Sequence, residues 1–201
     1  DIADRYRTPV MILGDGMMGQ MKEPVVFPER IKKLPEKEWA LRGRGNGPSR
    51  YMASLILDAL EMEKHNWKLV RKYKEIEKNE TRWDTFMADD ADVLAVAYGT
   101  TARITKGAIK RLRKEGVKAG MIRPITLWPF PSQAIRDLSQ NAKKIVVFEM
   151  STGQMVEDVL LAVQGQIPVQ FHGRPGGVIP TPLEFSRIIY REYELLKKKT
   201  I

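Results

Sequence analysis

The chain has 201 residues, 43% of them hydrophobic, and a formal net charge of +9, which is enough length and apolar content to bury a core and argues against disorder throughout. It contains no cysteine, so it forms no disulfide and cannot by itself hold a cysteine-ligated zinc or iron–sulfur cluster. Uncharged runs fall short of the roughly 20 apolar residues that span a bilayer, and the opening DIADRYRTPV has no signal-peptide pattern, so a soluble, cytoplasmic protein is expected.

In chain order, DIADRYR reads as the last two turns of a helix, followed by Thr8-Pro9 and an apolar strand at Val10 to Leu13. A helix end feeding a strand is the second half of an α/β unit, so a further N-terminal region is expected upstream. The chain leaves that strand through Gly14, Gly16 and Gly19, then meets Pro24, Pro28 and Pro35, which bias the preceding residues away from helix. The turn GDGMMGQ stands at the carboxyl end of a strand, where open α/β sheets place ligands. There Asp15 can accept hydrogen bonds, Gly16 and Gly19 allow close backbone approach, and Gln20 can donate or accept. The alternative is a plain Asp15-Gly16 turn with Met17, Met18 and Met21 as core filler. The glycine-rich RGRGNGPSR, Arg42 to Arg50, reads as an exposed connection. Met62 to Thr85 reads as one long, charge-rich helix, with Lys74 and Lys78, and Glu63 and Trp67, at helical neighbour spacings. Its mixed signs suit a solvated helix better than a phosphate-binding strip.

From Asp92 onward, short apolar runs at Val93 to Tyr98, Val117 to Ile122, Lys144 to Met150 and Ile167 to Phe171 alternate with helix-length stretches at Thr101 to Lys114, Ser132 to Asn141 and Gln154 to Val163. That alternation predicts an open, mostly parallel sheet with helices on both faces. A last helix, roughly Pro182 to Lys199, starts on proline and ends in lysines, as helix polarity favours. In the first of these helices Ile104, Ala108 and Leu112 recur every four residues, while Arg103, Lys106, Lys110 and Arg113 take another face, the pattern of a helix lying on a sheet. The basic clusters, here and at Lys197 to Lys199, therefore read as solvated faces rather than a nucleic-acid site, though a basic surface also suits an acidic protein partner.

The turn YGTTARITKG follows a strand and opens a helix, so its N–H groups can meet an anion through Thr100, Thr101 and Arg103. It lacks the lysine-serine or lysine-threonine ending of a P-loop and the glycine spacing of a dinucleotide turn. A tight turn and helix cap is the preferred reading. FEMSTGQM, Phe148 to Met155, also ends a strand and begins a helix, with Glu149 a candidate paired carboxylate at a subunit interface. GRPGGVIPTP, Gly173 to Pro182, reads as structural. His65 and His172 have no partner ligand at a usual metal spacing and read as structural or surface residues.

Four runs in this order, DGMMGQMKEPV, EKHNWKLVRKYKEIEKNE, DADVLAVAYGTTARITKGAI and GMIRPITLWPFP, resemble the C-terminal part of the alpha-type subunit of 2-oxoacid:ferredoxin oxidoreductases. The resemblance is greatest to the 3-methyl-2-oxobutanoate (2-ketoisovalerate) and 2-oxoglutarate branch, and it covers almost the whole chain. It implies the end of a thiamine-pyrimidine-binding domain over residues 1–30, a linker with a long charged helix over 31–90, and a transketolase C-terminal-like domain over 91–201. It further implies a complex that uses thiamine diphosphate and magnesium to decarboxylate a 2-oxo acid, passes electrons through iron–sulfur clusters to ferredoxin, and gives the acyl group to coenzyme A. The partners implied are beta- and gamma-type subunits and ferredoxin, without nucleic acid or membrane. The glutamate that activates thiamine in the family matches neither Glu23 nor Glu29, so no catalytic residue is assigned. The chain is expected to supply architecture and subunit contacts and to bind no cofactor tightly alone. Two other classes stay open: a stand-alone phosphate- or nucleotide-binding module, suggested by Gly99 to Arg103, and a basic interaction protein.

Overall fold

A computed structural model describes residues 1–27, 37, 39–41, 43, 45, 47–48 and 52–198. Most of the expected glycine-rich connection, together with Pro28, Glu29, Pro35 and Lys199, lies outside the described residues. The chain divides into two compact units, one formed by residues 1–13 and 22–79, the other by 14–21 and 80–201. The second unit contains the residues 91–201 expected as a domain and adds Gly14–Met21 and the stretch from Glu80.

In the first unit, helix α1 (Ile2–Tyr6) ends at Arg7, whose left-handed backbone (φ 47°) returns its N–H to Ala3 O. The following Val10 to Leu13 is not a strand. A strand needs a ladder partner, none is present among the described residues, and Val10, Met11, Ile12 and Leu13 stand 50%, 80%, 96% and 64% exposed. Helix α3 (Ala59–Glu80) starts where the Asp58 carboxylate accepts the N–H of Glu61 at 2.9 Å, a side-chain cap of the first turn. One turn on, Trp67 Nε1 donates to Glu63 at 3.4 Å, as the sequence spacing implied. The helix stops five residues short of the expected Thr85.

The reason for that early stop lies in the second unit. Trp83–Phe86 is a strand, β1, paired antiparallel with β3 (Ala119–Pro124). Its aromatic and β-branched residues suit a pleated edge, and the pairing overrides the helical reading. β3 also runs two residues later than Val117 to Ile122, because Val117 is used in the turn that closes the preceding helix. The remaining elements are β2 (Val93–Ala97), α4 (Gly99–Lys114), α5 (Ser132–Ser139), β4 (Lys144–Glu149), α6 (Met155–Val163), β5 (Val169–Gly173) and α7 (Pro182–Lys198). The sheet order is β1-β3-β2-β4-β5, parallel except for β1. β5 starts two residues after Ile167, since Pro168 offers no N–H to the ladder and only its carbonyl is used, by Ile145.

Alternation along the central strands separates two cores. Val93, Ala95, Ala97, Val146 and Phe148 face α4 and α7, where Ala108, Ile109, Leu112, Phe185 and Ile189 meet them. Leu94, Val96, Ile145 and Val147 face α5 and α6, against Ile135, Val159 and Val163. Phe148 and Phe185 stack with centroids 3.9 Å apart. Ala108 and Leu112 are buried, as their four-residue spacing implied, while Ile104 is only partly so. At Gly120 a Cβ would lie 2.2 Å from Met87 O, so the loop after β1 can press on β3 only because that side chain is missing. Arg113 fixes the same loop, donating to Asp90 at 2.7 and 2.9 Å, to Met87 O and to Ala119 O.

Candidate functional site

β2 is the pivot of the sheet. The connection leaving it through α4 returns on the β3 side, whereas the one leaving β4 through α6 returns on the β5 side. The carboxyl ends of β2 and β4 are therefore a topological switch point, the usual place for a ligand in an open α/β sheet. Two helices begin there, and each offers unpaired N–H groups and the positive end of its dipole.

Both beginnings hold a carboxylate of the chain itself. At α4, Asp15 accepts the Thr100 N–H at 3.2 Å and the Thr100 hydroxyl at 3.0 Å. The same side chain caps α2 (Gly16–Gln20), accepting the Met18 N–H at 2.9 Å. Gly99 makes the approach possible: its φ is +55°, and a Cβ there would sit 3.3 Å from Asp15 Oδ2. At α6, Glu149 accepts the N–H groups of Met155 and Val156 at 3.0 and 2.9 Å and the Ser151 hydroxyl at 2.7 Å. It is 1% exposed, so its carboxylate is engaged inside the chain. Between these ends Thr101, 2% exposed, donates from Oγ1 to Tyr98 O at 2.7 Å and to Phe148 O at 3.1 Å, tying the end of β2 to the end of β4.

Charge follows geometry. Burial pushes the Asp15 carboxyl up, but hydrogen bonds from Met18, the Thr100 hydroxyl and the Thr100 N–H outweigh it and hold the pKa below the ordinary value of 3.8. The Tyr98 phenol is raised above 10.0, first by burial and then by the negative charges of Glu149 and Asp15.

Of the residues singled out in the sequence, Asp15, Thr100 and Thr101 converge on one place. Gly16, Gly19 and Gln20 lie in α2, exposed, and a Cβ at Gly16 or Gly19 would meet nothing within 4 Å, so neither glycine serves a close approach among the described residues. Arg103 is exposed, with Nη1 3.5 Å from Met21 Sδ. Met17 and Met18 are 37% and 49% exposed, so they are not core filler. Sequence reasoning missed α2 as a helix and Tyr98 as a neighbour of two carboxylates. An acid ending a strand, with serine two residues on and a helix beginning six residues on, is the signal that identifies the Glu149 cap. No group of three or more His, Asp or Glu side chains suited to a metal is found among the described residues.

Comparison with known proteins places this architecture. Residues 91–185 match the family model of pyruvate:ferredoxin oxidoreductase core domain II. The chain is 42% identical over 178 residues to the ketoisovalerate oxidoreductase subunit VorB of Methanothermobacter marburgensis, covering 88% of this chain and 50% of that protein. The chain belongs to the family of 2-oxoacid:ferredoxin oxidoreductase subunits. It is also 28% identical over 218 residues to the 2-oxoglutarate synthase subunit KorA of Methanothermobacter thermautotrophicus, across 95% of this chain and 58% of that one. It thus spans about half the length of the curated relatives it matches. The fold agrees with the 2-oxoglutarate:ferredoxin oxidoreductase of Magnetococcus marinus, solved with 2-oxoglutarate, coenzyme A and succinyl-CoA bound, at a TM-score of 0.65 and 20% identity over 77% of this chain and 28% of that one. The mostly parallel sheet with helices on both faces agrees with the open α/β class expected from the sequence. No helix among the described residues is long and apolar enough to cross a membrane.

Proposed function

We propose that the chain is part of the alpha-type subunit of a thiamine diphosphate-dependent 2-oxoacid:ferredoxin oxidoreductase, that its substrate is of the 2-ketoisovalerate kind, and that residues 91–201 supply architecture and subunit contacts. The observation that carries this reading is the 42% identity to a ketoisovalerate oxidoreductase subunit over 88% of the chain, against 28% to a 2-oxoglutarate synthase subunit. In such an enzyme, beta- and gamma-type subunits complete the assembly, magnesium and thiamine diphosphate serve decarboxylation, iron–sulfur clusters pass the electrons to ferredoxin in the cytoplasm, and coenzyme A takes the acyl group.

The beginnings of α4 and α6 do not fit a thiamine diphosphate or other phosphate group. The N-termini of α4 and α6 already bond the carboxylates of Asp15 and Glu149, and a diphosphate in either place would meet like charge. The chain likewise has no cysteine for a cluster. On this reading the cofactors sit on other parts of the complex, and Asp15, Gly16, Gly19, Gln20, Thr100, Thr101 and Arg103 act through the shape of the fold.

The test is to isolate the assembly through a tag on this chain and assay viologen reduction with coenzyme A. The expected result is turnover with 3-methyl-2-oxobutanoate at a higher kcat/KM than with 2-oxoglutarate. Turnover by this chain alone would overturn the assignment of roles, and preference for 2-oxoglutarate would overturn the substrate.

A further inference from the structure

Gly14–Met21 stands apart in the chain. The residues on either side, up to Leu13 and from Lys22, group with the first unit, whereas this segment groups with the second. Its seat is the beginning of α4, at the carboxyl end of β2. The side-chain bonds that place it there include those of Asp15 with the N–H and hydroxyl of Thr100 and the 3.5 Å contact of Arg103 with Met21 Sδ. Every residue from Gly16 to Gln20 is exposed, and the methionines Met17 and Met18, at 37% and 49%, are only partly covered. A segment held chiefly through one carboxylate, with its methionines only partly covered, can leave as a unit at low cost. Its departure would free the Thr100 N–H and, on this reading, open the approach to Tyr98, which lies close enough to Asp15 to feel its charge.

We propose that Gly14–Met21 is a strap closing the switch point of the sheet, with the Asp15 carboxylate as its latch on Thr100. Asp15 completes two structures at once, the first turn of α2 through Met18 and the docking on α4 through Thr100, so strap folding and strap docking are coupled. Gly99 is the matching part of the seat, since its missing Cβ and its φ of +55° bring the backbone up to Asp15 Oδ2. The inference concerns the fold and does not depend on which reaction the complex performs.

The test uses amide hydrogen exchange by NMR on the full chain, together with broadening of the Tyr98 ring signals by a soluble nitroxide. In Asp15→Ala the Thr100 and Met18 amides should exchange at least tenfold faster and the Tyr98 broadening should rise severalfold, while Val93–Ala97 and Ile145 to Phe148 lose clearly less protection. Thr100→Val, which removes the hydroxyl and keeps the N–H, should give a smaller change of the same sign at Met18. Unchanged exchange at Met18 and Thr100 in Asp15→Ala would overturn the latch. Equal loss of protection across β2 and β4 would make Asp15 a general stabiliser and overturn it as well. Faster exchange without added Tyr98 broadening would show that the segment covers nothing.

Discussion

The turns that leave the sheet after β2 and after β4 meet the same electrostatic demand in different ways. Each opens a helix whose first N–H groups need an acceptor, and each finds a carboxylate. At α6 the carboxylate is Glu149, the last residue of β4, six and seven positions from the N–H groups it accepts and 1% exposed. At α4 it is Asp15, 85 positions from Thr100 and only partly buried. A cap supplied by the strand itself is here part of the core, while the one brought from afar stays at its edge. Burial of the acceptor sets the energetic scale: Glu149 is 1% exposed, whereas Asp15 is only half-buried, so water replaces the α4 acceptor more readily.

The largest test of that contrast is Glu149→Ala. It leaves the N–H groups of Met155 and Val156 and the Ser151 hydroxyl without their acceptor inside the protein, and should lower the unfolding free energy by about 3 kcal/mol, measured by urea denaturation. A loss no greater than that of Asp15→Ala would break the comparison.

Next comes Thr101→Val, which keeps the shape and deletes the hydroxyl shared between Tyr98 O and Phe148 O. A loss of about 1.5 kcal/mol is expected, on the same denaturation assay. A smaller effect than at Asp15 would mean that the two strand ends are held together by the ladder alone.

Asp15→Ala should lower global stability by about 1 kcal/mol, the ordinary scale for a lost cap, and its thermal midpoint should fall less than that of either variant above. A drop equal to that of Glu149→Ala would show that Asp15 is as integral to the core as Glu149.

The smallest effect is the acid response of the wild-type contact. The folded pKa of Asp15 is held below 3.8, so its stabilisation is fully present above that value and fades as pH falls through the folded pKa. The Thr100 amide resonance should therefore be flat from neutral pH to about 5 and shift only in more acidic solution. A midpoint above the ordinary carboxylate value would mean that burial, not hydrogen bonding, controls Asp15.

The second unit was legible from Val93 onward because its signals are local and mutually consistent. The four parallel strands, the helices between them and the apolar stripe of α4 follow from periodicity and from glycine and proline punctuation. Errors arose where pairing decides. Val10 to Leu13 has the composition of a strand and no ladder partner among the described residues. Trp83–Phe86 continues a helical pattern and becomes a strand because β3 offers an antiparallel edge. The site was half legible in the same sense. Asp15 and Thr100 were each singled out as separate candidates for meeting a ligand, yet they meet each other.

Residue order alone was enough for the α/β class, the absence of cysteine chemistry in this chain and, through four runs of residues, the 2-oxoacid:ferredoxin oxidoreductase family to which it belongs. Those properties rest on residue identity and short spacings, which need no coordinates. Which carboxylate sits on which helix came from the folded chain. Fourfold hydrogen-bond demand at a helix start is local, but the acceptor that answers it at α4 arrives through a loop closure of 85 positions, and no periodicity reports where such a loop will close.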